Sequence, residues 1–69
     1  MTYFQKMLSQ LMDEHELDGG DLAGKLNLAP STISNWIHGK TLPNYHQIKA
    51  LSEVFDVSAD SILDTKYDD

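Results

Sequence analysis

Leu22-Ala23-Gly24-Lys25-Leu26-Asn27-Leu28-Ala29-Pro30-Ser31-Thr32-Ile33-Ser34-Asn35-Trp36 reads as the end of one short helix, a tight turn and the start of another. Leu22, Ala23 and Leu26 recur at one- and three-residue steps, which groups them on one helical face. Asn27 tolerates the left-handed conformation that a chain reversal needs. Proline suits the first position of a helix, where a missing N–H leaves nothing unpaired, so Pro30 opens the next segment. Ile33, Trp36 and Ile37 then give that segment a buried face, and Gly39 ends it by allowing a positive φ. Two helices joined this closely cross steeply and need a small side chain where they touch, a role that falls to Ala23. Leu28 and Ile33 close the wedge between them.

Working outward, the pattern gives five helical segments. The first covers Tyr3–Glu14, with Phe4, Leu8 and Leu11 stacked on one face and Leu17 following at the exit. The second covers Gly19–Leu26, with Asp18 as N-cap and Asp21 three residues on in a box spacing. The third starts at Pro30. The fourth starts after Pro43, where Asn44 and Gln47 form a second capping box, and carries the stripe Ile48, Leu51 and Phe55 or Val54 up to Asp56. The fifth is short, residues 58–63, capped by Ser58 and turning Ile62 and Leu63 inward. No stretch alternates with period two. The expectation is an all-α, compact five-helix domain over residues 1–64, with an acidic tail at 65–69 that includes Tyr67, Asp68 and Asp69.

The chain has 69 residues and no cysteine, so neither a disulfide nor a thiolate metal site supports it. A chain this short buries only about 60% of the surface its unfolded form exposes. No apolar run approaches the length of a membrane span, and the N-terminus lacks the layout of a signal peptide, so a soluble cytoplasmic protein is expected. The formal net charge is -6. That charge is unevenly placed. Residues 22–52 hold no Asp or Glu, but they hold Lys25, Lys40 and Lys49 with His38 and His46. Asp13, Glu14, Glu16, Asp18 and Asp21 precede the stretch, and Glu53, Asp56, Asp60, Asp64, Asp68 and Asp69 follow it.

Other chemistry finds no support in the pattern. The acids between Asp13 and Asp21 lack the alternating ligand spacing of a calcium loop. His15, His38 and His46 share no metal-ligand spacing. No nucleophile arrangement and no glycine loop for a cofactor is present. The chain is expected to be no enzyme and to need no cofactor or metal. Trp36 reads as core.

In its order and spacing the chain resembles the Cro/C1-type (XRE-like) helix-turn-helix family of phage and bacterial transcriptional regulators. The resemblance rests on the Leu22-Ala23 pair, the Ile33-Ser34-Asn35-Trp36 run, Gly39-Lys40, Pro43 and the closing Val57-Ser58-Ala59-Asp60-Ser61-Ile62-Leu63. It implies a lambda-repressor-like fold with the helix-turn-helix at about 18–39 and a third helix that enters the major groove of double-stranded DNA. Under that resemblance Ser31, Thr32, Ser34 and Asn35 take exposed positions facing bases. An Asn amide can pair with both N6 and N7 of adenine, which makes Asn35 the best reader. Lys40, Thr41 and Asn44 match the loop and helix start that touch phosphates in the family, and Lys25 on the second helix joins them.

The chain also departs from the family. Gly19 stands where a phosphate-reaching glutamine is common, Ala29 where Ser or Thr caps the third helix, and Pro30 at a common base-reading position. A buried Arg–Glu pair that links the first helix to the end of the third is replaced by Met12 and Ile37. Both charges are gone together, so Met12 and Ile37 are expected to touch.

Two functions follow. The first is a DNA-binding regulator of the phage Cro or repressor kind. As a two-fold dimer it would place two reading helices about 34 Å apart, with apolar residues near the fifth helix and tail, such as Val57, Ile62 and Tyr67, serving either as dimer contacts or only to close the domain's own core. The second is an acidic antirepressor of the same fold that binds a basic repressor and blocks its DNA surface. The acid-free middle favours the first and the total charge favours the second.

Overall fold

The computed structural model describes residues 3–62. Within them the chain forms five helices: α1 (Tyr3–Glu14), α2 (Gly19–Leu26), α3 (Pro30–Ile37), α4 (Tyr45–Phe55) and α5 (Ala59–Ile62). The first two have the bounds read from sequence, and the third starts at Pro30 as read and ends at Ile37, two residues before Gly39. The fourth begins one residue after Asn44, which is its N-cap. The fifth is shorter than expected at its start, because Ser58 stands outside it as a cap whose Oγ accepts from Ser61 N at 3.1 Å. Leu63, Tyr67 and the expected tail, with the domain boundary at 64, lie outside the described residues.

Both capping boxes are formed. Asp21 N donates to Asp18 Oδ1 at 2.7 Å while Asp18 N donates to Asp21 Oδ2 at 3.3 Å. Gln47 N donates to Asn44 Oδ1 at 2.9 Å and Asn44 N to Gln47 Oε1 at 2.8 Å. Each box satisfies two of the N–H groups that a helix start leaves unpaired. α3 has no such cap: Ala29 is extended and offers no side-chain acceptor.

The first four helices end alike. A residue with positive φ follows the last turn: Glu16, Asn27, Gly39 and Asp56. The next N–H then reaches back five residues in the chain, from Leu17 to Met12 O, Leu28 to Ala23 O, Lys40 to Asn35 O and Val57 to Ser52 O, at 2.9–3.0 Å. This is the Schellman arrangement, which satisfies carbonyls the helix end would otherwise orphan. The apolar residue after the reversal packs inward at three of the four ends, as Leu17, Leu28 and Val57. At α3 that place is taken by exposed Lys40.

The core is continuous. Phe4, Leu8, Leu11 and Met12 of α1 meet Leu22 and Ala23 of α2, Ile33 and Trp36 of α3, Ile48, Leu51 and Phe55 of α4 and Ile62 of α5. Met7, Leu17, Leu26, Leu28, Ile37, Val54, Val57 and Ala59 pack half-buried against it. Phe55 therefore carries the α4 stripe and Val54 flanks it. Trp36 is 1% exposed and meets the edge of Phe4 with ring centroids 6.4 Å apart, so it is core as expected. Among the described residues no polar or charged residue is buried. Tyr3 Oη donates to Ser61 O at 2.6 Å, fastening the start of α1 to α5. α2 lies against α3 and α4, α1 against α3 and α5, and α4 against α5. The result holds α2 and α3 on a base made by the other three helices.

Ile62 turns inward as the sequence pattern predicts, and this corrects only its alternative place among the dimer contacts. It is 2% exposed and closes the domain's own core, so it offers no surface to a second copy. Val57 is half-buried in the same way.

Candidate nucleic-acid interface

α3 turns Ile33 and Trp36 into the core and keeps Ile37 half-buried. Helical spacing then sends Ser31, Ser34 and His38 to the opposite face, and all three are exposed. Thr32 and Asn35 are half-buried rather than exposed. Ser31 and Ser34 thus stand fully clear, while Thr32 and Asn35 border the core.

The loop after α3 is sewn to Asn35. The Asn35 carbonyl accepts from Lys40 N at 2.9 Å and from Thr41 N at 3.5 Å. Backbone geometry therefore brings Asn35, Lys40 and Thr41 together, with the Lys40 and Thr41 side chains exposed. Gly39 makes the reversal possible, at φ +73. Asn44 is exposed too, but its Oδ1 is committed to capping α4. Lys25 stands exposed in the last turn of α2, outside the group joined through Asn35.

Sequence reasoning missed three residues of this surface. His38 Nδ1 lies 2.8 Å from Ser34 O and 3.3 Å from Ser34 Oγ, so the imidazole closes the end of α3 and holds the Ser34 hydroxyl. The signal was the four-residue step from Ser34 to a helix end, where a ring N–H can bond a last-turn carbonyl. Leu42 and Tyr45 are both 68% exposed and are the exposed large hydrophobics among the described residues. Leu42 lies in the loop before α4, where periodicity gives it no role, and Tyr45 opens α4 three residues before Ile48, where periodicity alone does not announce its exposure.

The charge map is segregated. All eight described acids are exposed, at the end of α1, the start of α2, the end of α4 and on α5. Lys6, Lys25, Lys40 and Lys49 are exposed, and among the described residues none forms an ion pair. The later turns of α2, all of α3, the following loop and most of α4 form one acid-free region. No group of three or more His, Asp or Glu among the described residues is placed to hold a metal ion.

The helix-turn-helix family profile matches residues 5–62, nearly all of what the structure describes. The chain belongs to the Cro/C1-type helix-turn-helix family. It is 35% identical over 60 residues to the HTH-type transcriptional activator BcrR of Enterococcus faecalis, an alignment covering 87% of this chain and 29% of that protein. The crystal structure of a transcriptional regulator from Listeria innocua superposes with a TM-score of 0.81 at 29% identity, covering 90% of this chain and 58% of that one. The chain thus spans less than a third of the first and little over half of the second. In this chain a proline opens α3, an alanine stands at its N-cap, and serines and a threonine make up most of its outward side. No described helix is long and apolar enough to cross a membrane.

Proposed function

We propose that this chain is the DNA-reading part of a transcriptional regulator, inserting α3 into the major groove of double-stranded DNA. The observation that carries the reading is the charge map around α3. The acid-free stretch of sequence is the same surface that α3 and its flanking loop present, and its lysines are unpaired and free to meet phosphates. Ser31, Thr32, Ser34 and Asn35 face bases in this arrangement, with Asn35 bidentate to adenine. Lys40, Thr41, Asn44 and Lys25 contact the backbone, which positions the helix without reading sequence.

The fold spans 30 × 24 × 22 Å and has one α3. Two major grooves on one face of DNA lie about 34 Å apart, so specific binding calls for two copies. With few cations each copy binds weakly, since affinity rests largely on phosphate neutralisation. The relative from Enterococcus faecalis is described as an activator, but the alignment covers 29% of it, so nothing in the aligned part carries activation across. Occupying an operator and excluding other proteins, the Cro-like mode, needs only DNA binding, and it is the mode we assign.

The net charge of -6 favours a second reading, an antirepressor that uses the same fold against a basic regulator. Selection from a random duplex pool near 50 mM salt separates the two. A DNA reader returns a shared motif whose base preference is relaxed in Asn35→Ala, and Lys40→Ala lowers the salt slope by about one unit on all sequences. No enrichment at that salt overturns DNA reading and leaves the basic protein partner.

A further inference from the structure

Leu42 and Tyr45 stand 68% exposed within an otherwise well-buried apolar set. They flank Pro43 and Asn44, and they follow directly on Lys40 and Thr41, whose N–H groups are bonded to Asn35 at the end of α3. Neither closes the core. Tyr45 meets only the edge of His46 among the described aromatic rings, at 5.9 Å and 67°. Both lie inside the acid-free stretch, with Lys40 before them and Lys49 after them, and neither lysine is paired.

We infer that Leu42 and Tyr45 form an apolar contact with the deoxyribose faces of the DNA backbone beside the groove that α3 enters. This rests on the DNA-reading function proposed above and deepens it. A DNA strand alternates anionic phosphates with apolar sugar edges. A surface that places unpaired lysines around two exposed apolar side chains matches that alternation in both charge and polarity. A second copy of this chain is a poorer match. Two side chains offer on the order of 300 Å², well under the ~800 Å² per partner of a stable interface.

The contact supplies affinity without releasing counterions, which makes it separable from the lysines. Salt slope counts phosphates neutralised, and burying a leucine or a tyrosine ring changes affinity at every salt concentration alike. It also gives a chain with few cations a second source of binding.

The test is fluorescence anisotropy with the duplex recovered by selection, titrated at several salt concentrations. Leu42→Ser combined with Tyr45→Ala is expected to weaken binding about tenfold at each salt, with slope and base preference unchanged. Tyr45→Phe keeps the ring and binds as the parent does. Urea unfolding midpoints stay in place, because the residues replaced are exposed. Unchanged affinity in the double variant, while the parent chain binds, overturns the inference and leaves DNA reading intact. So does a loss accompanied by a lower oligomeric mass, which assigns the pair to contact between copies. A parent chain that binds no duplex overturns both.

Discussion

Gln5 Nε2 donates to the carbonyl oxygen of Ile37 at 3.2 Å, tying α1 to the last turn of α3. The same amide sits against Gly39: a Cβ built there lies 2.8 Å from Gln5 Nε2. One side chain thus satisfies an orphan carbonyl at a helix end and occupies the space that the glycine leaves open. Gly39→Ala is expected to destabilise the domain by about 1–3 kcal/mol, from the left-handed φ and from displacing the Gln5 amide. In a Gln5→Ala background the steric part disappears and the φ part remains. Urea denaturation of the four proteins should therefore show the two substitutions costing less together than their sum.

Ala29 is the one N-cap among α2, α3 and α4 without a side-chain acceptor, and it is exposed and extended as an N-cap should be. Ala29→Ser should stabilise the chain by about 1 kcal/mol, seen as a higher midpoint in thermal or urea unfolding. Ala29→Asp should stabilise it similarly, since an acid also suits the positive end of a helix. The two differ at the interface. Asp places the only carboxylate within the acid-free stretch at the start of the reading helix, so duplex binding should weaken for Asp and hold for Ser. Equal binding by both would separate the α3 start from the DNA surface.

The parts of the fold that were legible in sequence are those governed by periodicity and by residues with strong local preferences. Asp18, Asn44, Pro30 and Gly39 each have a narrow conformational role, and the structure assigns each that role. The reversals at Glu16 and Asp56 were less legible in kind. Glu rarely adopts positive φ and Asp does so less readily than Gly, and the apolar Leu17 and Val57 that follow them pack against the core. The candidate site was legible as a surface but less so residue by residue. Thr32 and Asn35 border the core because α3 is short and its buried face is wide. The burial of Ile62 was read from the apolar pattern of the short last helix, and its burial leaves no surface there for a second copy.

Met12 is 8% exposed in α1, and Ile37 is half-buried at the end of α3. Both belong to the core, at the positions where relatives resembling this chain carry Arg and Glu. Met12→Arg alone should destabilise by about 3–5 kcal/mol, because it buries an unpaired charge. Adding Ile37→Glu should recover part of that loss if the two side chains meet. Ile37→Glu that only adds to the damage would show that the pair does not meet, and that the ionic link was lost here for another reason. Denaturant midpoints of the two single variants and the double decide between these.

Gly19 opens α2 where a phosphate-reaching glutamine is common among similar regulators, and the space for one exists. A Cβ at Gly19 lies 3.8 Å from Ile33 Cγ2, an ordinary van der Waals contact, and the residue does not adopt a positive φ. Replacing a helical glycine by glutamine also favours the helix by roughly 0.5–1 kcal/mol. Gly19→Gln should therefore raise the unfolding midpoint modestly. If the start of α2 reaches the DNA backbone along with Lys25, the variant should also tighten duplex binding several-fold on all sequences, because a contact to phosphate carries no base information. The neutral amide releases no counterion, so the salt slope should stay where it was. A stabilised variant with unchanged affinity would place the start of α2 away from DNA and require a different docking of α3.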